Sequence, residues 1–193
     1  MKDRSQLSQL SHETGTTACP EGQIIVFDLI GVLAAPSWRE LCPAPDLTAW
    51  ARLKRGLASE AELWSDEAGR AYRAALNLRR DRLDLLLHLR SRGHAIVIAS
   101  NFAAAWLPTI RERMPVGLVD RWLVSGELGV AKPDAGFWTA LREHVPAGTL
   151  VIDDQRRNCE AATRAGLRGL WAPAGAQLAH LLDAALAIPG PVR

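Results

Sequence analysis

Four apolar residues, Ile24-Ile25-Val26-Phe27, run without a polar break and stop at Asp28. An unbroken apolar run of this length reads as a strand buried on both faces, as in a parallel sheet. Two runs of the same kind follow. Ala95-Ile96-Val97-Ile98-Ala99 leads into Ser100-Asn101, and Leu150-Val151-Ile152 leads into Asp153-Asp154. Stretches 121–124 and 169–172 read as shorter strands. Between the strands the apolar spacing changes. Leu83, Leu86, Leu87 and Arg90 stand three or four apart and predict a helix over 82–92, with Gly93 past its end. Further helices are expected over about 46–55, capped by Asp46 and closed by Gly56, and over 103–113, bent at Pro108. Others are expected over 134–143, 157–165 and 177–187, with 126–131 as loop. The box Ser59-x-x-Glu62 predicts a helix start carrying Leu63 and Trp64, followed by a weaker helical segment near 72–78.

Strands alternating with helices predict an α/β fold, a Rossmann-like parallel sheet flanked by helices with right-handed crossovers. The stretch between the first two strands is too long for one crossover. Residues 36–81 are therefore expected to form a small helical cap inserted after strand one, entered through Pro36, Pro43 and Pro45. Residues 22–35 and 82–193 then make the core domain. Residues 1–21 are polar, with little periodicity, and read as a disordered tail.

Composition narrows the class. The chain has 193 residues, 48% of them apolar, enough for one α/β domain with an insertion. The formal net charge is +2, and the densest basic spot, Arg79-Arg80-Asp81-Arg82, is interrupted by an acid. That is a solvated helix start, so no nucleic-acid partner is expected. No apolar run approaches the ~20 residues of a membrane span, and no signal peptide is visible, so no membrane partner is expected. Cys19, Cys42 and Cys159 are far apart and odd in number, which suits a reducing cytoplasm.

A carboxylate at the carboxyl end of a buried strand sits where open α/β sheets bind ligands. Here Asp28 is joined, in order, by Ser100 after the second run, Lys132 in a loop, and Asp153-Asp154 after the third. With IIVFDLIGVL over residues 24–33, this series resembles the haloacid dehalogenase (HAD) superfamily, whose first motif is written hhhhDxDG(T/V)L. The resemblance covers about 24–171. It implies that Asp28 is a nucleophile attacking phosphorus, that Ser100 donates to phosphoryl oxygens, and that Lys132 offsets the charge of Asp28 and substrate. It also implies Mg²⁺, held by Asp28, the main-chain carbonyl of Ile30 and Asp154, with Asp153 a ligand or an outer partner. Asn101 joins Ser100 and Lys132 as a candidate substrate contact, although a structural role is the more ordinary reading for it and for Asn158.

The departure from the family pattern is Ile30, which stands where the second Asp of the motif protonates the leaving group and activates water. General acid–base catalysis is worth about 10²–10⁴-fold. Three readings follow. The first is a Mg²⁺-dependent phosphatase or phosphotransferase acting on a small phosphorylated metabolite, with Glu40, Asp66 or Glu67 as a candidate substitute acid. The second is a dehalogenase-like or other non-phosphoryl reaction at Asp28, since a halide needs no proton. Against it, dehalogenases carry S-x-N-x-x-D as their fourth motif, whereas this chain keeps Asp153-Asp154. The third is an inactive binding protein. Trp38, Trp50 and Trp64 fall in the expected cap, as its own core or as part of a substrate pocket. The expected assembly is a monomer or homodimer.

Overall fold

The structure is a computed structural model that describes residues 22–42 and 46–187. The expected tail over 1–21 lies outside the described residues, as do Pro43 and Pro45. Five parallel strands form the sheet: β1 (Ile24–Phe27), β4 (Ala95–Ser100), β5 (Arg121–Val124), β6 (Leu150–Asp153) and β7 (Arg168–Trp171). Their order is β5-β4-β1-β6-β7. Phe27 lies beside Ile98 on one side and Ile152 on the other. The chain first builds outward from β1 through β4 to β5, then crosses back to build β6 and β7. The strand order therefore reverses at β1, and a reversal of this kind opens a crevice at the carboxyl ends.

Both faces of the sheet are covered, which is why the strands are continuously apolar. Side chains alternate between faces. Ile25, Phe27, Ile96, Ile98, Leu150 and Ile152 enter one core cluster. Val26, Val97, Ala99 and Val151 enter the other, against Phe137, Trp138 and Leu141 of α7 (Ala135–Arg142) and Ala161 and Ala162 of α8 (Arg156–Arg164). The first cluster is covered by α4 (Arg80–Ser91), α5 (Leu107–Glu112) and α9 (Leu178–Leu186). No helix among the described residues is long and apolar enough to cross a membrane.

Between β1 and β4 the chain makes two short strands, β2 (Ala34–Ala35) and β3 (Asn77–Leu78), paired antiparallel. They hold the ends of the intervening segment side by side. That segment carries α1 (Trp38–Leu41), α2 (Leu47–Leu53) and α3 (Asp66–Ala75). Asp46 caps α2 by accepting from the Thr48 and Ala49 main chains at 2.8 and 3.1 Å. The box at Ser59 forms, but it opens only a 3₁₀ turn, Glu60–Glu62. The longer helix starts at Ser65 instead, whose hydroxyl accepts from Ala68 N. The reason is tertiary. Glu60 Oε1 accepts from Trp64 Nε1 at 2.9 Å and from Trp106 Nε1 at 2.8 Å, and Oε2 pairs with Arg73. Holding Glu60 to Trp106 of the sheet domain fixes the chain where a continuous helix would have carried it away. Two other expectations are corrected. Residues 103–113 form a 3₁₀ turn (Ala104–Trp106) followed by α5, and part of the stretch 126–131, expected as loop, belongs to one helical turn, α6 (Ser125–Leu128).

The inserted segment shares a core with the sheet. Trp38, Ala49, Leu53, Leu63, Tyr72 and Leu76 belong to the same buried cluster as Phe27 and Ile98. Trp50 stacks on Trp106 with ring centroids 5.7 Å apart, and Tyr72 meets Trp106 edge-on at 4.6 Å.

Candidate active site

Asp28 follows the last residue of β1, and its main-chain N–H continues the ladder by donating to Ile152 O at 2.8 Å. The side chain is buried. Its Oδ1 accepts from Ser100 Oγ at 2.8 Å and lies 3.0 Å from Lys132 Nζ. Ser100 ends β4, so register alone sets it beside Asp28. Lys132 is buried with three partners for its three ammonium protons: Asp28, Asp153 Oδ2 at 2.5 Å and Ala99 O at 2.7 Å. Burial works against the Lys132 charge, but Asp153 and Asp28 more than offset it and hold the ammonium above the usual lysine range.

Asn101 brackets the Lys132 main chain. Its Nδ2 donates to Lys132 O and its Oδ1 accepts from Lys132 N, both at 2.8 Å. It lines the cavity, but the contacts it makes position Lys132. Asp153 is fully buried and fully engaged. Its Oδ1 accepts from Gln155 N at 2.8 Å and Asn158 Nδ2 at 2.9 Å, and its Oδ2 takes Lys132. Asp154 differs: its Oδ1 is buried and has no hydrogen-bond partner. Acceptor oxygens of Asp28, Asp153 and Asp154 all lie within 4.8 Å of one another.

Two carboxylates thus pair with one buried cation, and a third, Asp154, stands beside them. Burial first, then Asp153 and Asp154, raises the Asp28 carboxyl to about 7 against the opposing Lys132. Burial and Asp153 also raise Asp154. An all-oxygen, acid-rich set with one orphaned buried oxygen fits a hard divalent cation, which would offset the excess charge.

Above these residues lies a cavity of about 710 Å³. Ile30 lines it, half-buried, so the position of the missing acid presents an alkyl wall. Among the candidate substitutes, Glu40 lines the cavity, though its Oε1 accepts from Ser37 N at 2.7 Å as a helix cap. Asp66 and Glu67 stand exposed in the first turn of α3, outside the lining. Trp38 and Trp50 line the cavity while packing in the core, and Trp64 serves the core alone. Sequence reasoning missed Tyr72, Lys54 and Arg157 as lining residues. Tyr72, the chain's single tyrosine, sits on the buried face of α3, a periodicity that a longer helix assignment from Ser65 exposes.

No protein-family model and no curated protein matches the chain. Solved structures do. A HAD family enzyme from Bacteroides thetaiotaomicron, crystallised with magnesium and inorganic phosphate, is 22% identical, with a TM-score of 0.66 over 83% of this chain and 98% of that one. A HAD-like family hydrolase from Porphyromonas gingivalis is 18% identical, with a TM-score of 0.68 over 88% and 99%. An L-2-haloacid dehalogenase is 17% identical, with a TM-score of 0.58 over 79% and 84%. Together with the parallel sheet and its strand order, these likenesses establish that the chain has the fold of the haloacid dehalogenase superfamily.

Proposed function

We propose that the chain is a Mg²⁺-dependent hydrolase or phosphotransferase that acts on a small phosphorylated metabolite through Asp28. The observation that carries this reading is the buried, unpartnered Asp154 Oδ1 beside the Asp28 carboxylate. The bacterial enzyme that holds magnesium and phosphate on this fold supports it. Asp28, Asp154 and the Ile30 carbonyl would hold the ion, which would supply positive charge against the phosphoryl oxygens.

The chain's own residues divide the remaining work. Ser100 and Lys132 both engage Asp28 Oδ1, which orients the carboxylate and leaves Oδ2 as the attacking atom. The Asp28 oxygen bonds to phosphorus as the bond to the leaving oxygen breaks. Water then displaces the carboxylate from phosphorus, restoring Asp28. Asp153 takes no part in bond making; it keeps Lys132 charged and in place. Lys132 has its three protons committed to protein acceptors, so it acts as a fixed charge beside the nucleophile. Ile30 offers no proton in either step. Substrates whose leaving group departs as a stable anion, such as acyl or anomeric phosphates, are therefore favoured. The inserted segment, residues 36–81, acts as the cap over the cavity. The free Cys42 and Cys159 fit a cytoplasmic setting.

Ile30 also favours a second reading, halide displacement at Asp28, which needs no acid; a haloacid dehalogenase shares the fold. One experiment separates the two. Thermal unfolding of wild type and Asp154→Asn is followed with and without millimolar Mg²⁺, beside turnover on phosphate-ester and haloacid panels. A Mg²⁺-dependent rise in Tm that Asp154→Asn abolishes, with Mg²⁺-dependent phosphate release, is expected. Halide release without any metal response would replace the phosphoryl reading with the second.

A further inference from the structure

Three cations that line the cavity pair with no carboxylate among the described residues. Arg39 lies on α1, Lys54 caps the end of α2, and Arg157 lies in the first turn of α8, three residues after Asp154. All three line the cavity. None of them forms an ion pair among the described residues. Arg157 bonds the neutral Gln155 Oε1 at 2.8 Å, and Arg39 lies over the Trp38 ring at 5.4 Å. The nearby acid, Asp134, is already paired with Arg55 at 2.8 Å. Burial first, then Arg55 and Arg157, holds the half-buried Lys54 ammonium below the usual lysine range, with Arg39 adding to the effect.

Arg39 and Lys54 belong to the inserted segment and Arg157 to the sheet domain. Like charges facing each other across that seam repel unless an anion lies between them. A second feature of the same cavity points to a ligand. Tyr72 is fully buried, lines the cavity, and its hydroxyl has no hydrogen-bond partner. A buried unpaired hydroxyl is costly, and a ligand atom would satisfy it. Trp38 and Trp50 add aromatic surface to the lining. The cavity, about 710 Å³, is far larger than one phosphate ion needs.

We propose that the site takes a substrate with two anionic groups, one at Asp28 and a second bridging Arg39 and Lys54 of the insertion to Arg157 of the sheet domain. The second group is a carboxylate or a second phosphate, and the part joining the two is at least partly apolar. This deepens the phosphoryl-transfer reading and rests on it for the group at Asp28.

The test uses ligands that cannot be hydrolysed. Calorimetry with Mg²⁺ at low ionic strength compares phenylphosphonate with 4-carboxyphenylphosphonate and benzene-1,4-diphosphonate. At least one of the two bifunctional ligands is expected to bind about tenfold more tightly than phenylphosphonate, the gain from one charge-assisted contact. Which of the two binds better identifies the second group as carboxylate or phosphate. The preference is expected to fall toward one in Lys54→Met and in Arg157→Gln, and to shrink at high salt. Arg157 is exposed, so its variant folds even if Lys54→Met does not. Equal affinity for all three ligands in wild type, or a preference that survives both substitutions, overturns the proposal. Benzoate and terephthalate give the control without phosphorus. A Lys54-dependent preference for terephthalate, with no phosphonate binding, keeps the anion subsite and overturns the phosphoryl reading. Phosphonate binding with no preference for either bifunctional ligand does the reverse.

Discussion

Gly31 and Asp154 meet on the floor of the cavity, where a Cβ on Gly31 would stand 2.5 Å from Asp154 Oδ2. Gly31 also has φ +90°, a conformation L side chains rarely adopt. The first turn after the Asp28 strand therefore leaves the space that the Asp154 carboxylate fills. Gly31→Ala is expected to cost about 1–3 kcal/mol through backbone strain and displacement of Asp154. It should also remove the Mg²⁺-dependent rise in Tm, because the moved carboxylate no longer faces Asp28. Urea unfolding and Mg²⁺ titration of the folded variant check the two parts separately.

Asp28→Asn is expected to abolish turnover and to leave the fold intact, since the carboxamide keeps the shape but is a poor nucleophile. Its effect on stability depends on pH. The Asp28 carboxyl titrates near 7 in the fold against 3.8 for an ordinary Asp, so the fold prefers its protonated form. The stability that this preference contributes is complete below about pH 4 and is lost as pH rises through about 7. The amide cannot ionise and escapes that loss. In metal-free buffer the difference in Tm, variant minus wild type, should therefore grow from pH 5 to pH 8. A difference independent of pH would show that Asp28 carries no unfavourable buried charge.

Lys132→Met removes the cation that Asp28 and Asp153 share and leaves two buried carboxylates facing each other. Breaking a buried pair on one side costs about 3–5 kcal/mol. The loss should be larger at pH 8 than at pH 4, where the Asp28 carboxyl is protonated. Urea midpoints at the two pH values measure it.

Ile30→Asp restores a carboxylate at the position where the chain departs from the motif it resembles. Turnover of an alkyl phosphate should rise, by up to the ~10²–10⁴-fold that acid–base catalysis is worth. An aryl phosphate, whose leaving group needs little help, should gain less. Repulsion from Asp28 and Asp154, and the apolar surroundings of the half-buried Ile30, limit the gain. Negligible turnover of both esters by wild type and variant alike would count against a latent phosphatase site.

The sheet and the floor of the candidate site were legible in the apolar pattern of the chain. Parallel strands covered on both faces must be continuously apolar, so each run announced its own end, and Asp28, Ser100 and Asp153-Asp154 follow those ends. Register then brings the ends together with no further information. Lys132 was legible only through resemblance, because a loop lysine carries no periodic signal. Tertiary structure alone decided how two adjacent acids differ. Asp153 is consumed by Lys132, Gln155 and Asn158, while Asp154 keeps a bare Oδ1 and sets its Oδ2 against Gly31. It also decided the inserted segment. Two-residue strands are too short to show a period, and the turn at Glu60 is held by Trp106, far away in the chain. Lys54 and Arg157 are neighbours only because the insertion folds back across the sheet's carboxyl ends, a contact between distant segments that no local pattern encodes.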